Sequence, residues 1–266
     1  MCNFGFCDIV NVAPKKIFTD EEIERFIIGV YSGLINPQTL DVATYKKVAE
    51  HLSNGVYNGF GKALTEVEWN SPDYAMLNDL RNNVYKFSGV KQYHQVREMV
   101  DAIYDGDRIK LFSEYKNTGG EIFEKYNVNY LQAEYNAAIS QSRSASMWMD
   151  IENNAELLPM LTYDTVGDGR VRPEHAMLDN ISRPVTDKFW DSYYPPNGWN
   201  CRCTVIQSDR EDKTSLKGFK KPDTVPPEFM MNAGKQRLVF SDKHPYFTVA
   251  PKDKELANNN FYMPKP

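Results

Sequence analysis

The sequence predicts an α+β protein with a mostly helical N-terminal half. A small α+β domain follows, whose short sheet carries a His and a Cys-x-Cys motif, and an extended C-terminal tail ends the chain. Three observations carry this expectation. Apolar residues recur at helical spacing through the first half. Short strand-like runs and a tight-turn signal, Gly167-Asp168-Gly169, follow Pro159. Many of the prolines lie beyond Asp209. The expected boundaries are residues 1–118 for the helical region, 119–208 for the α+β domain and 209–266 for the tail.

Thr19 and Glu22 fit a capping box, and Ile23, Phe26, Ile27 and Val30 then repeat at helical spacing until Gly33. A second helix is expected from Asp41 to Gly59, with Val42, Tyr45, Val48, Leu52 and Val56 on one face. Ser71-Pro72-Asp73 opens a third, because proline at the first helical position is preorganised for it. Its stripe runs to Val84, and two further amphipathic segments cover 92–104 and 108–115. Gly119-Gly120 reads as a break. The stretch from Asn129 to Glu152 is rich in Ala and Ser but keeps apolar residues throughout, which predicts a buried central helix over a serine-rich tether. Leu161–Thr165 and Cys203–Ile206 read as two paired strands, with a short helix carrying His175 between them that ends at Asp179-Asn180. The tail is expected to lie on other surfaces instead of building a core.

The chain has 266 residues, a formal net charge of −5 and ordinary hydrophobic and charged fractions of 41% and 25%. That balance argues against a protein that coats nucleic acid, which needs a basic surface. The run from Lys217 to Lys221 is a local basic exception that reads more simply as a solvated loop. No stretch approaches the roughly 20 apolar residues of a membrane span, so no membrane partner is expected. The start of the chain lacks the basic and apolar regions of a secretion signal, which points to the cytoplasm and reduced thiols.

Half of the four cysteines sit in Cys201-Arg202-Cys203. In a strand, both would face one side; in a helix, His175 and Asp179 would share a face. Two thiolates, an imidazole and a carboxylate form a reasonable tetrahedral zinc set, so His175, Asp179, Cys201 and Cys203 are candidate ligands of a structural zinc. The spacing is a weaker signal than paired C-x-x-C motifs. The alternative is that the cysteines are small buried hydrophobes and His175 bonds a backbone carbonyl. A thiol–imidazole pair with Asp164, Asp168, Glu174 or Asp179 as acid–base groups is a further reading, but no nucleophile signature, phosphate loop or H-E-x-x-H accompanies it. Asp164 and Asp168 fit better as braces of the turn, pairing with Arg170 or Arg172. Phe189, Trp190, Tyr193, Tyr194 and Trp199 form either a local core or a binding surface, with core favoured for the two tryptophans. His51, His94 and His244 are isolated, with packing roles as the default, and no role is assigned to Cys2 and Cys7.

The string Tyr163-Asp164, Asp168, Arg170-Val171-Arg172, His175 and Leu178-Asp179, followed by Phe189-Trp190, Pro195-Pro196, Gly198-Trp199, Cys201-Arg202-Cys203 and Val205, resembles the phage Mu F-like minor head protein family. The resemblance covers residues 129–206, with Glu134 and Trp148 fitting the lead-in helix. Asn180 departs from it, standing where the family commonly has Gly. It implies a minor capsid protein for head morphogenesis, not an enzyme, held inside the virion head near the portal vertex and in the host cytoplasm during assembly. Its implied partners are the portal protein, the major capsid or scaffold protein, and packaged DNA. It makes Asp164, Asp168, Arg172, His175, Trp199, Cys201 and Cys203 a structural motif, with His175 and the cysteines meeting at the sheet–helix junction. The competing functions are a zinc-dependent or thiol hydrolase packaged in the head, and a DNA-binding ejection protein.

Overall fold

A computed structural model describes residues 16–210, 212–217, 219, 225–253 and 255. Cys2, Cys7 and part of the Lys217–Lys221 run lie outside the described residues. Helix α1 spans Asp20–Tyr31. Its capping box forms as the sequence requires: Glu22 N–H donates to Thr19 Oγ1 and Thr19 N–H donates to the Glu22 carboxylate at 2.8 Å. Gly33 follows with φ +78°, a conformation that favours glycine. Helix α2 spans Val42–Phe60, started by the Asp41 carboxylate, which accepts from Thr44 N–H at 2.8 Å. Among the described residues, no helix is long and apolar enough to cross a membrane.

Helix α3 runs unbroken from Pro72 to Asp101, merging two segments that periodicity separates. The reason is burial on several sides: Val84, Phe87, Val90, Tyr93 and Val96 are all buried, as are the polar Lys91, Gln92 and Gln95 between them. No single apolar stripe exists to follow. The expected helix at 108–115 is also corrected. Strands β1 (Tyr104–Asp105) and β2 (Arg108–Ile109) form a hairpin there, reversed at Gly106 with φ +60°. Helix α4 then spans Phe112–Glu124, and Gly119-Gly120 lies inside it instead of breaking it. A Cβ at Gly119 would sit 3.2 Å from Ile27 Cγ2 and 3.1 Å from the Tyr115 ring, so the glycine allows α1 and α4 to approach closely. A π-helical turn, Lys125–Tyr130, leads into helix α5, Leu131–Asn153. Ala138, Ser142 and Ala145 of α5 are fully buried, as a central helix requires.

The second half builds a three-stranded antiparallel sheet from β3 (Met160–Asp164), β4 (Ser182–Pro184) and β5 (Thr204–Ser208), in the order β4-β3-β5. The β3–β5 pairing is the expected one, with Tyr163 opposite Val205. Strand β4 is an addition; its three residues, one of them proline, carry little strand signal. Two single-turn helices, α6 (Pro173–Ala176) and α7 (Trp190–Tyr193), flank β4 in sequence. The core beneath the sheet joins Leu161, Tyr163, Leu178, Trp190, Tyr194 and Cys203 to Trp148 of α5.

The tail does more than cover surface. Val225, Phe229, Met231, Val239 and Phe240 are buried, and helix α8 (Ala233–Gln236) brings Gly234 against Trp148. Phe229 packs edge-on against Trp199 and Gly234 lies against Trp148, and these contacts draw the tail into the core. The described residues divide into two compact units, one drawn from 55–81 and 136–243, the other from 16–54, 82–135 and 244–253. The first holds the sheet and the candidate site. The second holds α1, α4 and a buried ion pair between Lys91 and Glu134.

Candidate metal centre

The site is built where the chain leaves β3, turns, and returns towards β5. Gly167 takes φ +69° in the turn, and Asp168 Oδ1 accepts from Arg170 N–H at 3.0 Å. Asp168 also holds both ends of the Arg202 guanidinium, at 2.7 and 2.8 Å. Hydrogen bonding from Arg202 keeps the Asp168 carboxyl well below the usual carboxylate range. Arg172, the other expected partner of this turn, instead stands at the position before α6, and its guanidinium donates to the Trp199 carbonyl at 2.5 Å. Gly198 is required beside it, since a Cβ there would lie 2.9 Å from Arg172 Nη1.

Pro173 starts α6 and places His175 in the interior at 3% exposure. The imidazole Nε2 lies 3.3 Å from the Asn197 carbonyl oxygen. A carbonyl only accepts, so Nε2 carries the proton and Nδ1 presents its lone pair. Cys201 Sγ and Cys203 Sγ each lie 3.5 Å from that Nδ1. Both cysteines are buried and neither is in a disulfide. They precede β5 instead of lying within it, and both sulfurs still face the same imidazole nitrogen. Burial disfavours the imidazolium, and the Cys201 sulfur outweighs this to raise the His175 pKa. Cys203 donates to Cys201, which lowers the Cys201 thiol despite its burial and raises Cys203.

Asp179 does not join this cluster. Helix α6 ends at Ala176, so the four-residue helical spacing from His175 is not realised. The Asp179 carboxylate accepts instead from Thr165 N–H at 2.9 Å and Thr165 Oγ1 at 2.8 Å. Asn180 follows with φ +59°, the left-handed geometry that Asn tolerates. Asp164 ends β3 half-buried, its carboxyl raised by burial and by Asp179. Trp199 packs edge-on against Phe229 with ring centres 5.0 Å apart. Trp190, Phe189, Tyr193 and Tyr194 are core residues.

Two site residues escape a sequence reading. Asn197 is fully buried; its Oδ1 accepts from Tyr163 OH at 3.0 Å and its Nδ2 donates to the Phe229 carbonyl at 3.2 Å. Burial, with the two cysteines beside it, pushes the Tyr163 phenol well above its ordinary pKa. The signal available for Tyr163 was its place in the motif string; Asn197 falls at the unspecified position between Pro196 and Gly198 and had none. The histidines outside the site pack as expected: His51 stacks on Tyr135, and His94 and His244 both meet Tyr246.

Comparison with known proteins matches residues 94–206 to the family described as phage Mu protein F like protein. The match begins in α3, upstream of the residues that carry the motif. The putative capsid assembly protein F of Escherichia phage Mu is 46% identical over 71 residues, which are 27% of this chain and 16% of that protein. The Mu-like prophage FluMu F protein of Haemophilus influenzae is 38% identical over 52 residues, 20% of this chain and 13% of that protein. The matches thus span less than a fifth of either relative. No solved structure matches. By its motif string and by the match over residues 94–206, this segment of the chain is similar to the phage Mu F-like protein family.

Proposed function

We propose that this chain is a minor head protein of a tailed phage or prophage, placed inside the head near the portal vertex and acting in head assembly or DNA delivery. The portal protein is its main partner, with the major capsid or scaffold protein and packaged DNA as further contacts. The observation that carries this reading is the 46% identity over 71 residues to a protein named for capsid assembly. The site supports a structural role. Its carboxylates are engaged internally, Asp168 by Arg202 and Arg170 and Asp179 by Thr165. The small cavity beside the His–Cys cluster is lined by no carboxylate, and the His175 imidazole that borders it is held between the Asn197 carbonyl and the two cysteine sulfurs. The net charge of −5 counts against DNA binding as the main task.

The test is to mix the purified chain with cognate portal rings at micromolar concentration and follow both by sedimentation. Co-migration is expected. A chain that stays wholly separate from portal rings and from proheads contradicts the proposal.

A further inference from the structure

Nδ1 of His175 lies 3.5 Å from each cysteine sulfur, and the three donor atoms lie within 4.8 Å of one another. Zinc bonds of about 2.3 Å to sulfur and about 2.05 Å to nitrogen, at tetrahedral angles, give nitrogen–sulfur edges of about 3.5 Å. Both nitrogen–sulfur edges of the cluster therefore match those of a zinc site. Its outer contact fits as well. The Asn197 carbonyl fixes the imidazole through Nε2. Metal-ligating imidazoles are held by such a partner on the other ring nitrogen.

A second observation concerns the remaining tetrahedral position. A cavity of about 70 Å³ borders the three donors and is lined also by Arg170, Arg172 and Arg202. The nearby carboxylate, Asp168, is bonded to Arg202 and Arg170. Two thiolates would cancel the charge of a divalent ion, and Asp168 offsets one of the three guanidiniums. Two positive charges are left facing a space of a few atoms. We propose that His175, Cys201 and Cys203 bind one zinc ion whose fourth coordination position opens into this cavity and takes a small anion of carboxylate size. A site with three protein ligands and an exchangeable fourth is distinct from the closed four-ligand structural type.

The test uses the full chain and two metals. After incubation with zinc and gel filtration, about one zinc per chain is expected by elemental analysis, with Asp179→Asn unchanged. Cobalt loading is expected to give thiolate-to-cobalt charge-transfer bands, reduced about by half in Cys201→Ser and in Cys203→Ser. If either variant fails to fold, the charge-transfer intensity of the unaltered chain still counts its thiolates. Titration of the cobalt form with azide, then acetate, is expected to shift the ligand-field bands, and Arg170→Gln to weaken both anions several-fold without loss of metal. Substoichiometric metal, or metal lost in Asp179→Asn, overturns the three-ligand assignment. Ligand-field bands that ignore both anions overturn the open position.

Discussion

Replacing Lys91 by Met strands a carboxylate in the interior. Lys91 and Glu134 are 1% and 2% exposed and form a direct ion pair. Burial pulls the ammonium below its ordinary pKa and pushes the carboxyl above its own, while each charge supports the other. Without Lys91, Glu134 escapes its isolation by taking a proton. From a reference pKa of about 4.3, that costs about 4 kcal/mol at pH 7. In Glu134→Gln the lysine must shed its proton instead, from a reference near 10.4, at about 5 kcal/mol. Both values agree with the 3–5 kcal/mol typical of breaking a buried pair on one side. At about 2 °C per kcal/mol, each variant should melt roughly 8–10 °C lower. The pH dependences run in opposite directions. In Lys91→Met the folded state binds the extra proton, so its deficit shrinks by about 1.4 kcal/mol per unit as pH falls from 7 towards 4.3. In Glu134→Gln the unfolded state binds it, so the deficit grows over the same range. The double variant Lys91→Met/Glu134→Leu should recover most of the loss. Thermal melts at pH 5.5 and 7.5 decide the matter. Equal, pH-independent losses in the two single variants would refute the reasoning.

Three further outcomes are expected from thermal and urea melts. Gly59→Ala would place a Cβ 2.1 Å from the Ile139 carbonyl oxygen, backbone that cannot swing aside, and should cost about 3 kcal/mol; an unchanged melting point would deny the close approach of α2 and α5. Asn180→Ala should lose about 1 kcal/mol while Asn180→Gly stays near the unaltered chain, because φ is +59° there; equal losses would contradict that turn. Asn197→Ala removes the acceptor of Tyr163 OH and a donor to the Phe229 carbonyl in a fully buried setting. It should cost roughly 2–4 kcal/mol and raise the reactivity of Cys201 and Cys203 to a thiol reagent, and neither change appearing would count against the role given to Asn197.

Local chemistry made much of the fold legible. The Thr19–Glu22 box, the Asp41 and Pro72 helix starts and the β3–β5 pairing each rest on neighbours in sequence or on a simple repeat. The losses arose where burial was not one-sided. Helix α3 reads as two pieces because Lys91 interrupts its apolar pattern, and only Glu134, far along the chain, makes that lysine tolerable inside. Gly119 reads as a break because sequence does not reveal that Ile27 packs over it. Phe229 and Gly234 look like tail because their tryptophan partners lie far upstream. At the site, the alternation of Cys201 and Cys203 and the helix start at Pro173 sufficed to place three donors. Asp179 was misplaced by assuming a second helical turn that α6 does not make.

The central claim, that this chain is a component of the phage head, is tested most directly by density for it in intact virions. The account predicts a few copies inside the head, touching the portal ring. Virions and proheads that lack the chain altogether would contradict it.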